Sequence, residues 1–194
     1  MERARRRSSP QHDVKPAADF QAALTVLGRR PRRRERFKLN LRDADLRGAN
    51  LVDARLDNAS LDGARLEDAK LARVSLRNAS LVGAHLERAV LVEADLKGAR
   101  LDGAYLQDAV LNLANLRDVS AVARVHFEGA QLNGADLRSL WIDADDIIAG
   151  KPGESTKLPP SMTPEDRARV FERIEQLKHD KDRLSFMEFT RLLK

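Results

Sequence analysis

Leucine stands at every fifth position from Leu41 to Leu116, sixteen times in sixteen. No common element has that period. A helix returns to one face about every 3.6 residues and a strand every second residue. A chain that keeps bringing the same leucine inward must therefore turn through the same angle every five residues. Two residues before each leucine from Leu46 onward stands alanine in 14 of 15 cases, Val74 being the exception. Two residues after the leucine comes Asp, Asn or Gly in 12 of 16 cases, among them Asp43, Gly48, Asp53, Asn58 and Gly63. These three residue types tolerate positive φ or bond their own backbone, so they supply turn chemistry at one fixed phase. Alanine at the other inward phase implies a bore too narrow for a second large side chain. Only Tyr105 among the aromatics lies between Asn40 and His126, in keeping with that narrowness. A single five-residue unit cannot cover its own leucine, so units must stack as in other solenoids.

The tandem units "ADLRG", "ANLVD" and "ADLKG" resemble the A(D/N)LXX pattern of the pentapeptide repeat proteins, over about residues 39–143. The resemblance implies an all-β solenoid, a right-handed quadrilateral β-helix with four pentapeptides per coil and each residue stacked on the one 20 positions later. With rungs about 4.8 Å apart, this predicts about five coils and a rod near 25 Å long. The predicted core is Leu46, Leu51, Leu56, Leu61, Leu66, Leu71, Leu76, Leu81, Leu86, Leu91, Leu96, Leu101, Leu106, Leu111, Leu116, Phe127, Leu132 and Leu137. After Leu116 the pattern resumes one residue late at Phe127, so "VSAVARVHF" contains a one-residue insertion, read as a bulge.

The net charge of +5 averages unlike parts. Residues 1–38 hold 12 Lys/Arg against 4 Asp/Glu, whereas residues 39–143 hold 13 against 16. Residues 1–16 read as a basic disordered arm, and 17–38 as an N-terminal capping helix with a basic lead-in. In that helix Asp19 is the N-cap and Phe20, Ala23, Leu24 and Leu27 form the apolar face. Beyond the repeats, 144–162 reads as a Gly/Pro-rich exit and 163–194 as a C-terminal helical cap. Thr163 and Pro164 open its first helix, with Phe171, Ile174 and Leu177 on one face. A second short helix is expected to begin at the Ser185 to Glu188 capping box. The resemblance also implies that these C-terminal helices could join a homodimer.

No enzyme is expected. The chain has no cysteine, and His12, His85, His126 and His179 are scattered without a metal-binding, Walker or nucleophile-elbow pattern. Neither a cofactor nor a metal is anticipated. No apolar run is long enough to span a membrane, and a cytoplasmic, bacterial protein is the expectation. Binding is the better class. Among the outward residues, Val52, Ala72, Val90, Val92, Val110 and Leu113 form an apolar stripe, a candidate surface for a protein partner. His85 and Tyr105 share a phase 20 residues apart and should be neighbours. Arg29, Arg30, Arg32, Arg33, Arg34 and Arg36 form a candidate arm for nucleic acid or an anionic membrane surface. The family's quinolone-resistance members imply one alternative, a rod that imitates DNA and occupies DNA gyrase. The most acidic column here, from Asp45 to Glu128, carries six acids and three arginines. A duplex of the same length presents about fifteen charges, so the imitation is poor. The primary expectation is a rigid, non-enzymatic scaffold for protein contacts.

Overall fold

A computed structural model of the protein describes residues 38–121, 124–140 and 142–192, the last helix from residue 181 by its backbone alone. The predicted N-terminal cap and the arginine arm lie outside these residues.

The five-residue period is a turn repeated without interruption. From Leu41 to Leu111 each repeat leucine's carbonyl accepts from the amide three residues on, as in Ala49 to Leu46 at 3.0 Å and Ala89 to Leu86 at 3.0 Å. Positive φ falls on the residue two after the leucine: +62° at Gly48, +58° at Asp53, +59° at Asn58. One left-handed residue at the third place of a four-residue turn is what a type II geometry demands. Between turns only three residues remain extended, and only the middle one makes a ladder bridge. Among the described residues, no side therefore grows into a strand longer than one bridging position.

Those bridges are parallel and run between coils. Asn40, Ser60, Ser80, Arg100 and Ser120 form the first column, and Asp45, Arg65, His85, Tyr105 and His126 the second. Asn50, Lys70, Val90, Val110, Gln131 and Lys151 form the third, and Arg55, Ser75, Asp95, Asn115, Asp136 and Lys157 the fourth. Four columns in register make a four-sided coil. The ladder also accounts for the buried backbone: Leu66 donates to His85 at 2.7 Å, His85 donates to Ala64 at 2.9 Å, and the turn amide of Asp68 donates to Glu87 at 3.0 Å. Inside, the alanines and leucines form one continuous cluster in which Leu46, Leu66, Leu86 and Leu106 share one side of the square on successive coils. Phe127 takes a leucine's place and is fully buried.

Register is 20 residues up to the Arg100–Ser120 bridge and 21 at Tyr105–His126, Val110–Gln131 and Asn115–Asp136. The extra residue thus lies between Ser120 and His126.

Beyond the repeats the chain differs from its sequence reading in three ways. First, residues 144–149 of the anticipated irregular exit form a short helix, α1 (Ala144–Ala149), which buries Ala144 and Ile147 at the end of the core. Second, the coil path continues after it. Lys151 pairs with Gln131 and Lys157 with Asp136, so the solenoid's pairing extends past Asp143 although its motif has ended. Gly150 makes this route possible, since a Cβ there would sit 2.8 Å from Leu132 Cδ1. Third, the C-terminal segment is a single helix, α2 (Pro164–Leu192), running through the predicted second start at Ser185. No Gly or Pro follows Pro164 to break it, and serine is tolerated inside a helix whose neighbours favour continuation. At its start the Thr163 hydroxyl accepts from the Asp166 amide at 3.1 Å. The buried face of α2 is Val170 and Ile174. The expected grouping of Phe171 with Ile174 and Leu177 is corrected: Phe171 is 54% exposed and Leu177 half-buried. Positions i and i+4 share the docking face here, and Phe171 lies about 100° around the helix from Val170.

Candidate interaction faces

With leucine and alanine fixed inward, chemistry can vary only at three outward positions of each unit: the bridging residue, the first turn residue and the left-handed corner. The corner obeys a stacking constraint. Its side chain leans over the corner of the next coil, which must then be glycine or a partner. A Cβ at Gly63 would meet Asp43 Oδ1 at 2.4 Å, and one at Gly98 would meet Asn78 Oδ1 at 2.4 Å. Two pairs of corners without glycine are joined by charge. Arg73 donates to both oxygens of Asp53 at 2.7 and 2.8 Å, and Arg88 to both of Asp68 at 2.8 and 2.7 Å. The guanidinium holds each of these carboxyls below the usual carboxylate range.

The fourth side is an ionic ladder. Ser75 donates to Asp57 and Arg77 to Asp95, while Asn115 reaches Asp95 at 3.0 Å. It ends in a clamp. Asp136, with its side chain only 7% exposed, accepts from Arg138 at 2.8 Å to each oxygen and from Arg117 at 2.7 Å, with Lys157 at 4.0 Å. The Arg138 bonds foremost, helped by Arg117, hold this carboxyl far below its ordinary range. The clamp joins the last regular coil to the returning chain at Lys157.

The second side carries a ring stack. His85 and Tyr105 lie 4.6 Å apart at 7°, and Tyr105 and His126 lie 5.1 Å apart at 5°. The first pair was legible from the 20-residue phase. His126 was missed because it joins only after the one-residue shift. His85 Nδ1 meets Glu87 at 3.1 Å and His126 Nδ1 meets Glu128 at 3.6 Å. Lower on the same side, Arg47 donates to both oxygens of Asp45, holding that carboxyl at about 2.

The third side is the least charged. Val90 and Val110 bridge adjacent coils, and with Ala72 and Val92 they are half-buried. Val52 is 36% and Leu113 56% exposed. Leu113 occupies a left-handed corner at φ +63°. Its side chain lies over Gly134, where a Cβ would be 2.5 Å from Leu113 Cδ2.

At the C-terminal end a cleft of about 620 Å³ opens between α1 and α2, lined by Arg124, Asp143, Asp145, Asp146, Met162 and Asp166 among others. Its carboxylates are largely paired, Asp146 with Arg124, and Asp145 and Asp166 with Arg169. Among the described residues no group of His, Cys, Asp and Glu could hold a metal ion. None of the described helices is long and apolar enough to cross a membrane.

The family model for pentapeptide repeats matches residues 40–78, 69–108 and 79–118. Among solved structures, a pentapeptide repeat protein, Rfr23, from the cyanobacterium Cyanothece 51142 is 34% identical, over 51% of this chain and 65% of its own, with a TM-score of 0.45. One from the Arabidopsis thaliana thylakoid lumen is 25% identical, over 56% and 74%, with a TM-score of 0.39. The plasmid-mediated fluoroquinolone resistance protein QnrB1 is 15% identical, over 71% of each chain, with a TM-score of 0.25. The chain thus spans just under two thirds of the Cyanothece protein. Among curated proteins, none matches it.

Proposed function

Residues 40–118 match the family model for pentapeptide repeats, and from that likeness we propose that the chain is a non-enzymatic scaffold whose third side receives a protein partner. The observation that carries the reading is Leu113. A leucine in the left-handed region costs about 1–2 kcal/mol that Gly largely avoids. At 56% exposure it returns little of that to the fold. Backbone strain kept at an exposed apolar residue, beside a stripe of valines, points to a use outside the fold. Val90 and Val110 extend the surface along the rod, and no catalytic group competes with it among the described residues. A homodimer through α2 is a second expression of the same reading, favoured by exposed Phe171.

The test is affinity capture with the wild type beside Val110→Arg and Leu113→Asn. Both side chains point outward, so both variants should keep the wild-type melting profile or, for Leu113→Asn, improve on it. A specific partner should be lost from both. Capture that is unchanged by either substitution would sink the reading. Sedimentation of wild type against Phe171→Glu decides the dimer.

A further inference from the structure

The second side carries charge that it does not balance. Its three arginines are each committed, Arg47 to Asp45, Arg65 to Glu67 and Arg88 to Asp68. Left over are Glu87, Asp108 and Glu128, on three successive rungs around the ring stack. Glu87 and Glu128 meet histidine nitrogens, and Arg124, 3.9 Å from Glu128, is engaged by Asp146. One oxygen in each of Glu67, Glu87, Gln107 and Glu128 is buried and finds no donor among the described residues. Four acceptors in register on four consecutive coils, with too few donors, form a row that suits a donor-rich cation.

The same chain holds such a cation. Arg29–Lys38, "RRPRRRERFK", has seven Lys/Arg against one Glu, and it leads straight into Leu39 at the start of the first coil. We propose that Arg29–Lys38 docks on the second side of its own rod, with its guanidinium groups donating to Glu87, Asp108 and Glu128. The reach suffices. The first coil meets the second side at Asp45, one side on from Lys38, and four rung steps from Asp45 to His126 cover about 19 Å. The nine residues before Lys38 extend to about 30 Å. Guanidinium is the fitting group because it offers several donors in a planar fork and pairs with carboxylates bidentately. Docked there, the arm is occupied by its own rod and meets other anions only when they compete for it. The inference uses a different side of the coil from the valine stripe and stands apart from that reading.

Because the chain has no cysteine, spin labels can be placed cleanly at Pro31→Cys and Arg100→Cys, the latter on the coil that carries Tyr105. Pulsed EPR on the full chain at low salt should show a narrow, short-distance population. That population should be lost in 0.5 M salt, where screening reaches within about 5 Å. It should also be lost with Glu87→Gln/Asp108→Asn/Glu128→Gln, and with Arg32→Glu/Arg33→Glu/Arg34→Glu. The arm variant lies outside the rod, so it tests the contact even if the triple carboxylate variant melts early. A broad distribution at low salt, or a narrow one that neither variant alters, overturns the proposal. A short distance that disappears on dilution with unlabelled chain also overturns it, assigning the contact to a second copy.

Discussion

The regular coils and the C-terminal closure are built on one backbone path but by different means. From Leu41 to Leu116 the path is dictated by a leucine, an alanine and a left-handed corner in each unit. From Ser120 to Lys157 it is held by Phe127, Ile147, Leu158 and the Asp136 clamp, with one extra residue between Ser120 and His126 and a helix inserted before Lys151. The contrast teaches that the ladder, not the motif, defines the coil. Once four rungs exist, their free amides and carbonyls template the next turn, and any sequence that can reach them and cover the last leucines will serve.

The sharpest way to break the comparison is to damage each half in turn. Leu86→Arg places an unpaired charge in a bore with no room or partner for it, and the whole protein should unfold. A cooperative melt near the wild-type temperature would refute the inward assignment. Ile147→Ala should cost about 2–5 kcal/mol, as cavity-forming substitutions do, but act locally. Hydrogen exchange should then quicken from residue 124 onward and leave the coils of Leu46 to Leu86 protected. Uniform loss of protection would show that closure and coils unfold as one body.

Asp136→Asn should cost about 1–3 kcal/mol, the worth of hydrogen bonds to a charged group. Its carboxyl is held low in the folded state, so its contribution is complete above about pH 4 and fades as the pH falls below that. The variant should therefore lose less stability on acidification than the wild type, which denaturant titrations at pH 7 and pH 3 can read.

The finest distinction lies between two glycines. Gly103→Ala meets no atom within 4 Å and should cost only the left-handed penalty of about 1–2 kcal/mol. Gly134→Ala adds a clash with Leu113 Cδ2, a further cost of about 1–3 kcal/mol. Leu113→Ala in the same chain should recover the added part. Equal costs at the two glycines would show that the corners do not stack.

Much of this molecule was legible early because its core residues speak in one period. The partnership of His85 with Tyr105 followed from spacing, and so did the bulge before Phe127. The closure was legible only in part: a capping helix carrying Ile174 was expected, but Ile147 and Val170 share no period with the coils they cover and were not. Phe171 was grouped with Ile174 and Leu177 by helical spacing, whereas the direction from which α2 meets the coil placed Val170 inward.

By itself, then, the sequence determined a stack of five-residue turns, because a leucine every five residues admits no helix or strand, and four sides were only what the resemblance to pentapeptide repeats implied. Only the tertiary structure decided which surface residues meet. Contacts between coils join residues 18 to 24 positions apart, and a single inserted residue shifts by one each partnership that spans it. That shift set His126 rather than Val125 on Tyr105, laid Leu113 over Gly134, and brought Arg117 to Asp136.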